Sequence, residues 1–312
     1  MKIEKPLSRL YTYACHEDER ELCRLELRSL LGAEPESRHV ESGIGINPDR
    51  SPFLHERLDI LMEGDSLEEI EAQTGGLELG DSTFKLRYLD ADRTETYEGK
   101  RAVERRIGAG IRGKAEMKRP DRLLGLAYSR GRWVLGDCIT QESVWLKHNE
   151  KPRQYSTALS TRVARAAVNI AMPEPEGLKL LDPCCGIGTV LIEALSMGIS
   201  IQGFDINPLA VQGARENLRH FGMSEEAAAL GDMRRLEGRY DALILDLPYN
   251  LCSVLPLEEL DEMLCSARRL AAKVVILTTE EIRPSLQRAG YEIAGFCNIY
   301  KGRFKRQLFL CR

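Results

Sequence analysis

The chain has 312 residues, of which 43% are hydrophobic and 29% charged, a composition suited to an ordinary globular protein of two or three compact units. No apolar run approaches the roughly 18 residues that cross a bilayer, and the opening MKIEKPLSRLYTYACHEDER lacks the apolar stretch of a secretory signal. The formal charge of −4 hides an asymmetry: residues 1–84 carry 9 Lys/Arg against 19 Asp/Glu, whereas residues 85–153 carry 17 against 10. A basic middle segment suits a local phosphate-binding face, and equally a set of solvated helices. The nine cysteines are scattered and form no paired zinc spacing. We expect reduced thiols, a cytoplasmic location and no metal.

In chain order, residues 8–14 read as a strand. HEDERELCRLELRSLLG then reads as a helix with acidic residues in its first turn, apolar Leu22, Leu25, Leu27, Leu30 and Leu31, and Gly32 at its end. Residues 66–76 read as a helix capped by Ser66, with Glu69 completing a capping box. FKLRYLD (84–90) reads as a strand, 100–113 as a basic helix with a glycine-rich end, and 123–139 as two strands turning at Arg130-Gly131. The polar stretch 147–157, with Pro152, is expected to be a linker. From Leu178 strands and helices alternate: strand 178–182, helix from Thr189 to Met197, strand 199–205, helix from Pro208 to His220, strand 240–246, a helix near 256–271 and strand 273–279. YEIAGFC and RFKRQLFLC close the chain. The expected fold class is α/β: a parallel, Rossmann-like C-terminal domain with a final antiparallel hairpin, preceded by α+β units. Expected boundaries are an N-terminal unit over 1–50, a second unit over 51–146, linker and first helix over 147–172, and the C-terminal domain over 173–312.

LLDPCCGIGTVLIEA (180–194) places a tight turn with Gly186 and Gly188 between a buried strand ending at Asp182 and a helix starting at Thr189. Ligands of open α/β sheets sit over such turns, where glycine lets the backbone approach them. Leu191 replaces the third glycine of the dinucleotide fingerprint, and the helix start lacks the Lys-Ser/Thr of a phosphate-binding loop. The next strand ends at Asp205, followed by Ile206, Asn207 and Pro208; Asp205 is placed either to grip a ribose or to cap the helix at Pro208. Asp232 after the third strand could accept an adenine amino group with Met233 packed near that ring, or serve as a turn residue. Cys184 and Cys185 read as packing residues rather than nucleophiles. Glu193 is expected to face solvent or to cap locally, the five histidines are isolated and read as surface or structural, and the basic RFKRQLF (303–309) could touch RNA near the active site but reads rather as a solvated hairpin strand.

The fourth strand ends in Asp246-Leu247-Pro248-Tyr249. An exocyclic base amine is a poor nucleophile because its lone pair is delocalised. A carboxylate and a carbonyl beside proline can accept its two hydrogens and aim the lone pair at a methyl donor. The tyrosine ring can stack a base taken out of its helix, worth about 1–3 kcal/mol, and alignment at about 3–3.5 Å supplies the rest.

With these residues in place, the C-terminal half resembles class I S-adenosylmethionine-dependent methyltransferases that modify base amino groups. Asp182-Pro183-Cys184-Cys185-Gly186-Ile187-Gly188-Thr189 is similar to their D-P-x-C-G-x-G-T motif, and Asp246 to Tyr249 to their [D/N]-P-P-Y motif, with Leu247 in place of the first proline. Upstream, 103–136 resembles the end of a THUMP domain, an RNA-binding module, and 155–171 resembles the segment joining THUMP and catalytic domains in tRNA guanine-N2 methyltransferases. The resemblance implies a ferredoxin-like unit, a THUMP unit, S-adenosyl-L-methionine as cofactor and tRNA as partner, with N2-methylguanosine as product. It implies Asp246, Pro248 and Tyr249 as catalytic residues. Tyr155, Thr157, Leu159, Asp182, Cys184, Gly186, Gly188, Thr189, Asp205, Ile206, Asp232, Met233 and Asp246 would surround the cofactor. The RNA contacts would come from Arg101, Arg105, Arg106, Arg112, Lys114, Lys118 and Arg119. The alternatives are a DNA amino-methyltransferase acting on adenine N6 or cytosine N4, and a tRNA-binding protein that has lost turnover.

Overall fold

The computed structural model describes residues 8–36, 38–155, 158–247, 255–302 and 304–312. β1 (Arg9–Tyr13) leads through a 3-10 turn into α1 (Arg20–Leu31). β2 (His39–Ser42), β3 (Leu54–Gly64), α2 (Leu67–Thr74), β4 (Glu78–Tyr88), α3 (Tyr97–Gly108), β5 (Arg112–Ala115), β6 (Arg122–Ser129) and β7 (Arg132–Thr140) follow. After a 3-10 segment (Val144–Glu150) come α4 (Thr161–Ala171), β8 (Lys179–Asp182), α5 (Thr189–Ser196), β9 (Ser200–Asp205), α6 (Pro208–His220) and β10 (Ala228–Leu230). β11 (Tyr240–Asp246), α7 (Leu257–Leu270), β12 (Ala271–Thr278), α8 (Arg283–Arg288), β13 (Ile293–Lys301) and β14 (Phe304–Cys311) complete the chain. The chain divides into two compact units, one including 8–14 and Leu31–Glu142, the other Cys15–Leu30 and Ser143–Arg312.

The first unit is built on one seven-stranded sheet in the order β2-β1-β3-β7-β6-β4-β5. β4 runs parallel to β5 and β6, and the other pairings are antiparallel. Arg130 and Gly131 turn the β6–β7 hairpin with φ of 51° and 82°, the left-handed pair that a two-residue hairpin turn requires. Ser66 accepts from the Glu69 amide at 3.2 Å, and Glu69 returns its carboxylate to the Asp65 amide at 2.9 Å, one residue ahead of the expected box. α2 and α3 bury Ile70 and Ile107 against Leu86, Leu124 and Leu135 of the sheet. The boundary expected between residues 50 and 51 is not a domain boundary here: β1 pairs with both β2 and β3, so the hydrogen-bond ladder carries straight across it.

The second unit carries a seven-stranded sheet in the order β10-β9-β8-β11-β12-β14-β13. It is parallel from β10 through β12, and β14 runs antiparallel to both neighbours. Ala242, Leu243, Ile244 and Leu245 on the central β11 are fully buried, as a strand covered on both faces must be. The chain moves outward from β8 to β10 and then crosses to β11 on the other side of β8. The crevice at the carboxyl ends of β8 and β11 is the place where such sheets hold ligands. Among the described residues no helix is long and apolar enough to cross a membrane.

Two expectations about organisation are corrected in this unit. The helix α1, assigned to the N-terminal unit, belongs mainly with the C-terminal one: its buried Glu26 accepts from Asn169 on α4 at 2.6 Å, and Glu21 accepts from the Asn298 amide on β13 at 2.7 Å. The stretch from 147 is not a free linker. His148 is buried beside Glu193, and the Arg153 backbone is held by Asn217.

Candidate active site

The crevice is assembled from the turn after β8. Gly186 and Gly188 have φ of 52° and 81°, a left-handed backbone that costs other residues about 1–2 kcal/mol. A side chain on Gly186 would meet nothing within 4 Å, whereas one on Gly188 would stand 3.2 Å from Ala214 on α6. The first glycine therefore keeps a cleft open and the second permits close packing. The Asp205 carboxylate, at the end of β9, accepts from the Gly186 amide at 2.9 Å and from the Asn207 amide at 2.8 Å. The cap of α6 is Asn207, whose side chain accepts from the Leu209 amide. Asp205 thus does not cap α6, and its carboxylate sits on the edge of the turn.

Asn217, fully buried on α6, donates to the Ile187 carbonyl at 2.9 Å and to the Arg153 carbonyl at 3.0 Å, and accepts from the Arg153 amide. One side chain thereby ties the glycine turn to the segment carrying Tyr155. Nothing local in the sequence marks it, because a polar residue at that helical position ordinarily faces water.

The resulting cleft has a volume of about 240 Å³ and is lined by Tyr155, Ala158, Gly186, Asp205, Asp246 and Leu247, with Cys184, Ile187, Asn207 and Ala210. Among the described residues no Lys or Arg lines it. Burial pushes the Asp246 carboxyl up to about 6, against the pull of the Arg306 guanidinium. Its Oδ1 is buried and has no hydrogen-bond partner among the described residues. Burial also holds the Asp182 carboxyl well above its usual range, reinforced by Asp246 and opposed by the Cys184 amide. The Cys184 and Cys185 thiols are pushed far up by burial and by Asp182, so neither supplies a thiolate.

Of the residues singled out from the sequence, the structure gathers Tyr155, Cys184, Gly186, Asp205 and Asp246 at the cleft, with Asp182 buried behind it and Thr189 and Gly188 opening α5. Leu159 is buried, Ile206 is exposed, and Met233 packs under the turn with its sulfur 3.9 Å from that of Cys184. Thr157, Pro248 and Tyr249 lie outside the described residues. Asp232 does not line the cleft. Its carboxylate accepts from the Arg234 amide and pairs with the Arg234 guanidinium at 2.8 Å, which holds its carboxyl below the usual range; the turn role is the one observed.

Two further expectations are overturned. Glu193 is fully buried, not at the surface, between Arg165 at 2.8 Å and His148 at 2.7 Å. His39 takes the structural of its two expected roles, buried within reach of Ser129 at 3.0 Å. In the final hairpin Arg306 and Gln307 are buried, because β14 is an inner strand of the sheet.

On the first unit, the basic residues divide. Arg101 pairs with Glu104, Arg106 with Glu68 and Glu71, and Arg112 faces Glu78. Arg105, Lys114, Lys118 and Arg119 are exposed and, among the described residues, have no carboxylate partner. α3 does not extend to residue 113: it ends at Gly108, and Arg112 to Ala115 form the fully exposed edge strand β5. Between them lies a groove of about 1030 Å³ that includes Lys85, Tyr97, Arg101, Arg105 and Met117. The Arg101 guanidinium lies 5.4 Å from the exposed Tyr97 ring.

The strand order, the glycine turn and the carboxylates around it define a class I methyltransferase fold and site. The profile of the UPF0020 family, an RMKL-like methyltransferase domain, matches residues 148–280. The chain is 30% identical over 258 residues to a tRNA (guanine(10)-N2)-dimethyltransferase of Methanothermobacter thermautotrophicus, covering 74% of this chain and 75% of that protein. It is 28% identical over 229 residues to the protein of the same name from Pyrococcus abyssi, covering 69% and 68%. The crystal structure of TrmN from Thermus thermophilus superposes with a TM-score of 0.51 at 20% identity, covering 98% of this chain and 99% of that one, a likeness of fold. The chain belongs to the family of the tRNA (guanine(10)-N2)-dimethyltransferases.

Proposed function

We propose that this protein transfers methyl groups from S-adenosyl-L-methionine to the N2 amine of a guanosine in tRNA, at position 10 as the names of its relatives state. The observation that carries this reading is the charge of the cleft. Two carboxylates, Asp205 and Asp246, line it, with no cationic side chain among the described lining residues; the Asp182 carboxyl behind them is held well above its usual range by burial. Such a wall repels phosphates and favours a cation such as a sulfonium. The open space over Gly186 and the orphaned Asp246 Oδ1 fit a ligand that fills the cleft and an amine that donates to it.

The bound cofactor supplies an electrophilic methyl group on its sulfonium. Asp205 is placed for the ribose hydroxyls, and Tyr155 closes the opposite side. Asp246 accepts one hydrogen of the guanine amine and the Pro248 carbonyl the other, while Tyr249 stacks the base. As the new N–C bond forms the nitrogen becomes acidic, and Asp246, poised near pH 6, takes its proton. A route through a cysteine adduct to a ring carbon is disfavoured by the protonated state of Cys184 and Cys185.

The first unit supplies tRNA contact in the manner of a THUMP domain. Arg105, Lys114, Lys118 and Arg119 offer unpaired positive charge, and Tyr97 with Arg101 offers a face for a base. Transfer of labelled methyl from S-adenosylmethionine to transcribed tRNA, compared with duplex DNA, tests the reading. Incorporation into tRNA alone, abolished by Asp246→Ala, is expected; labelling of DNA, or none of tRNA, rejects it.

A further inference from the structure

A second cavity, of about 580 Å³, adjoins the cofactor cleft in the same unit, and Ala158 lines both. Its walls come from three separated stretches of chain. His16, Asp18 and Glu19 precede α1; Arg162 and Val163 open α4; and the tip of the β13–β14 hairpin brings Tyr300 and Phe304. We infer that this cavity receives the target nucleotide of the RNA, and that the residues ahead of α1 form one of its walls. The inference rests on the methyl-transfer reading above and adds to it the place of entry and the residues that hold the acceptor.

Four observations support it. The size lies within the range of about 300–1,000 Å³ in which proteins hold small ligands. The cavity lies near Asp246: it shares Ala158 with the cleft, and Arg306, which lines it, attracts the Asp246 carboxylate. Two aromatic rings, Tyr300 at 39% and Phe304 at 40% exposure, stand on the hairpin where a base can stack. The exposed Lys301 at the hairpin tip offers a cation to a sugar-phosphate chain in the same space, while Arg162 is engaged by Glu19 and Arg306 is buried. Aromatic rings beside a cation are the pattern of single-strand recognition, whereas the charged groups among the described lining residues of the cleft beyond Ala158 are Asp205 and Asp246.

The N-terminal wall is fixed to the methyltransferase unit. Glu19 accepts from Arg162 at 2.5 Å, Glu21 holds the Asn298 amide at 2.7 Å, and the buried Glu26 holds Asn169 at 2.6 Å. A stretch of chain that lies in sequence between two parts of the first unit therefore lines a cavity of the second. His16 accepts from the Asp18 amide through Nδ1 at 3.2 Å and has a side chain 71% exposed, within reach of an RNA at this wall.

The test places a photoreactive phenylalanine analogue at position 300, and separately at position 16, in the full-length protein. Each is irradiated with tRNA and S-adenosylhomocysteine, and the crosslinked nucleotide is mapped against the nucleotide that the unmodified protein methylates. Crosslinks from both positions to that nucleotide or its immediate neighbours are expected. Crosslinks elsewhere on the RNA, or none from a protein that still methylates it, overturn the inference. A protein that methylates no RNA at all overturns the parent reading instead. In parallel, Tyr300→Ala is expected to raise KM for tRNA about tenfold, the loss of one stacking contact, with unchanged affinity for S-adenosylmethionine. An unchanged KM contradicts the assignment, and a weakened donor affinity would place Tyr300 at the cofactor instead.

Discussion

Replacing Asp246 with asparagine should stabilise the protein while it abolishes methyl transfer. The carboxyl is pushed up to about 6 by burial, against about 3.9 in an unfolded chain. About two pH units at 1.36 kcal/mol each amounts to roughly 3 kcal/mol. The sign follows from the direction of the shift. A carboxyl with a raised folded pKa contributes its stability below about pH 4, where it is protonated in both states, and loses it as the pH rises through about 6. Above that point the wild type carries the cost of a buried charge, and the isosteric amide does not. The value of about 6 already contains the attraction of Arg306, so the expected gain stays at roughly 3 kcal/mol near pH 8. Urea unfolding of both proteins at about pH 8 and about pH 4 measures it. The variant should be the more stable at the higher pH and equal to wild type at the lower. Equal stabilities at both values, or a gain that persists in acid, would refute ionisation of Asp246 as the origin.

Donor affinity should follow the same titration: the Kd for S-adenosylmethionine is expected to rise below about pH 6 as Asp246 loses its charge, and calorimetry showing a flat profile would contradict this. Gly186→Ala, with open space around it and φ of 52°, should cost only about 1 kcal/mol of stability while weakening donor binding. Gly203→Ala brings a methyl within 2.7 Å of Leu191 and 2.9 Å of Cys185, and should cost about 1–3 kcal/mol by overpacking; denaturation midpoints separate the two. Glu193→Gln removes the carboxylate between Arg165 and His148 and should destabilise by about 3–5 kcal/mol. For RNA, Arg105→Glu combined with Lys118→Glu should weaken tRNA binding and flatten its salt dependence. Arg106→Ala should do less because Glu68 and Glu71 already engage that guanidinium.

Local chemistry made much of the second unit legible from the sequence. β11 shows as a continuous apolar run because both of its faces are covered. α6 starts at Pro208 because Asn207 caps it, and the hairpin at Arg130-Gly131 follows from its turn residues. The turn after β8 was readable because Gly186 and Gly188, both at positive φ, stand between a buried strand and a helix start. What stayed hidden depends on partners distant in sequence. Glu193 finds Arg165 and His148 at separations of 28 and 45 residues, so a charge that reads as solvated is buried. Asn217 acts through backbone groups 30 and 64 residues away. The apolar face of α1 would suit either sheet equally, and its attachment is settled by Glu26 and Asn169. The ion pair of Asp232 with Arg234 two residues on was not foreseen, because a turn carboxylate reads from the sequence as free.

The most direct measurement is nucleoside mass spectrometry of a defined tRNA transcript after incubation with the protein and S-adenosylmethionine. Appearance of N2-methylated guanosine at position 10, lost with Asp246→Ala and retained with Arg106→Ala, is the expected result. Methylation of adenine or of a ring carbon, or an unmodified transcript in the presence of bound donor, contradicts the assignment of Asp246 to a guanine amine.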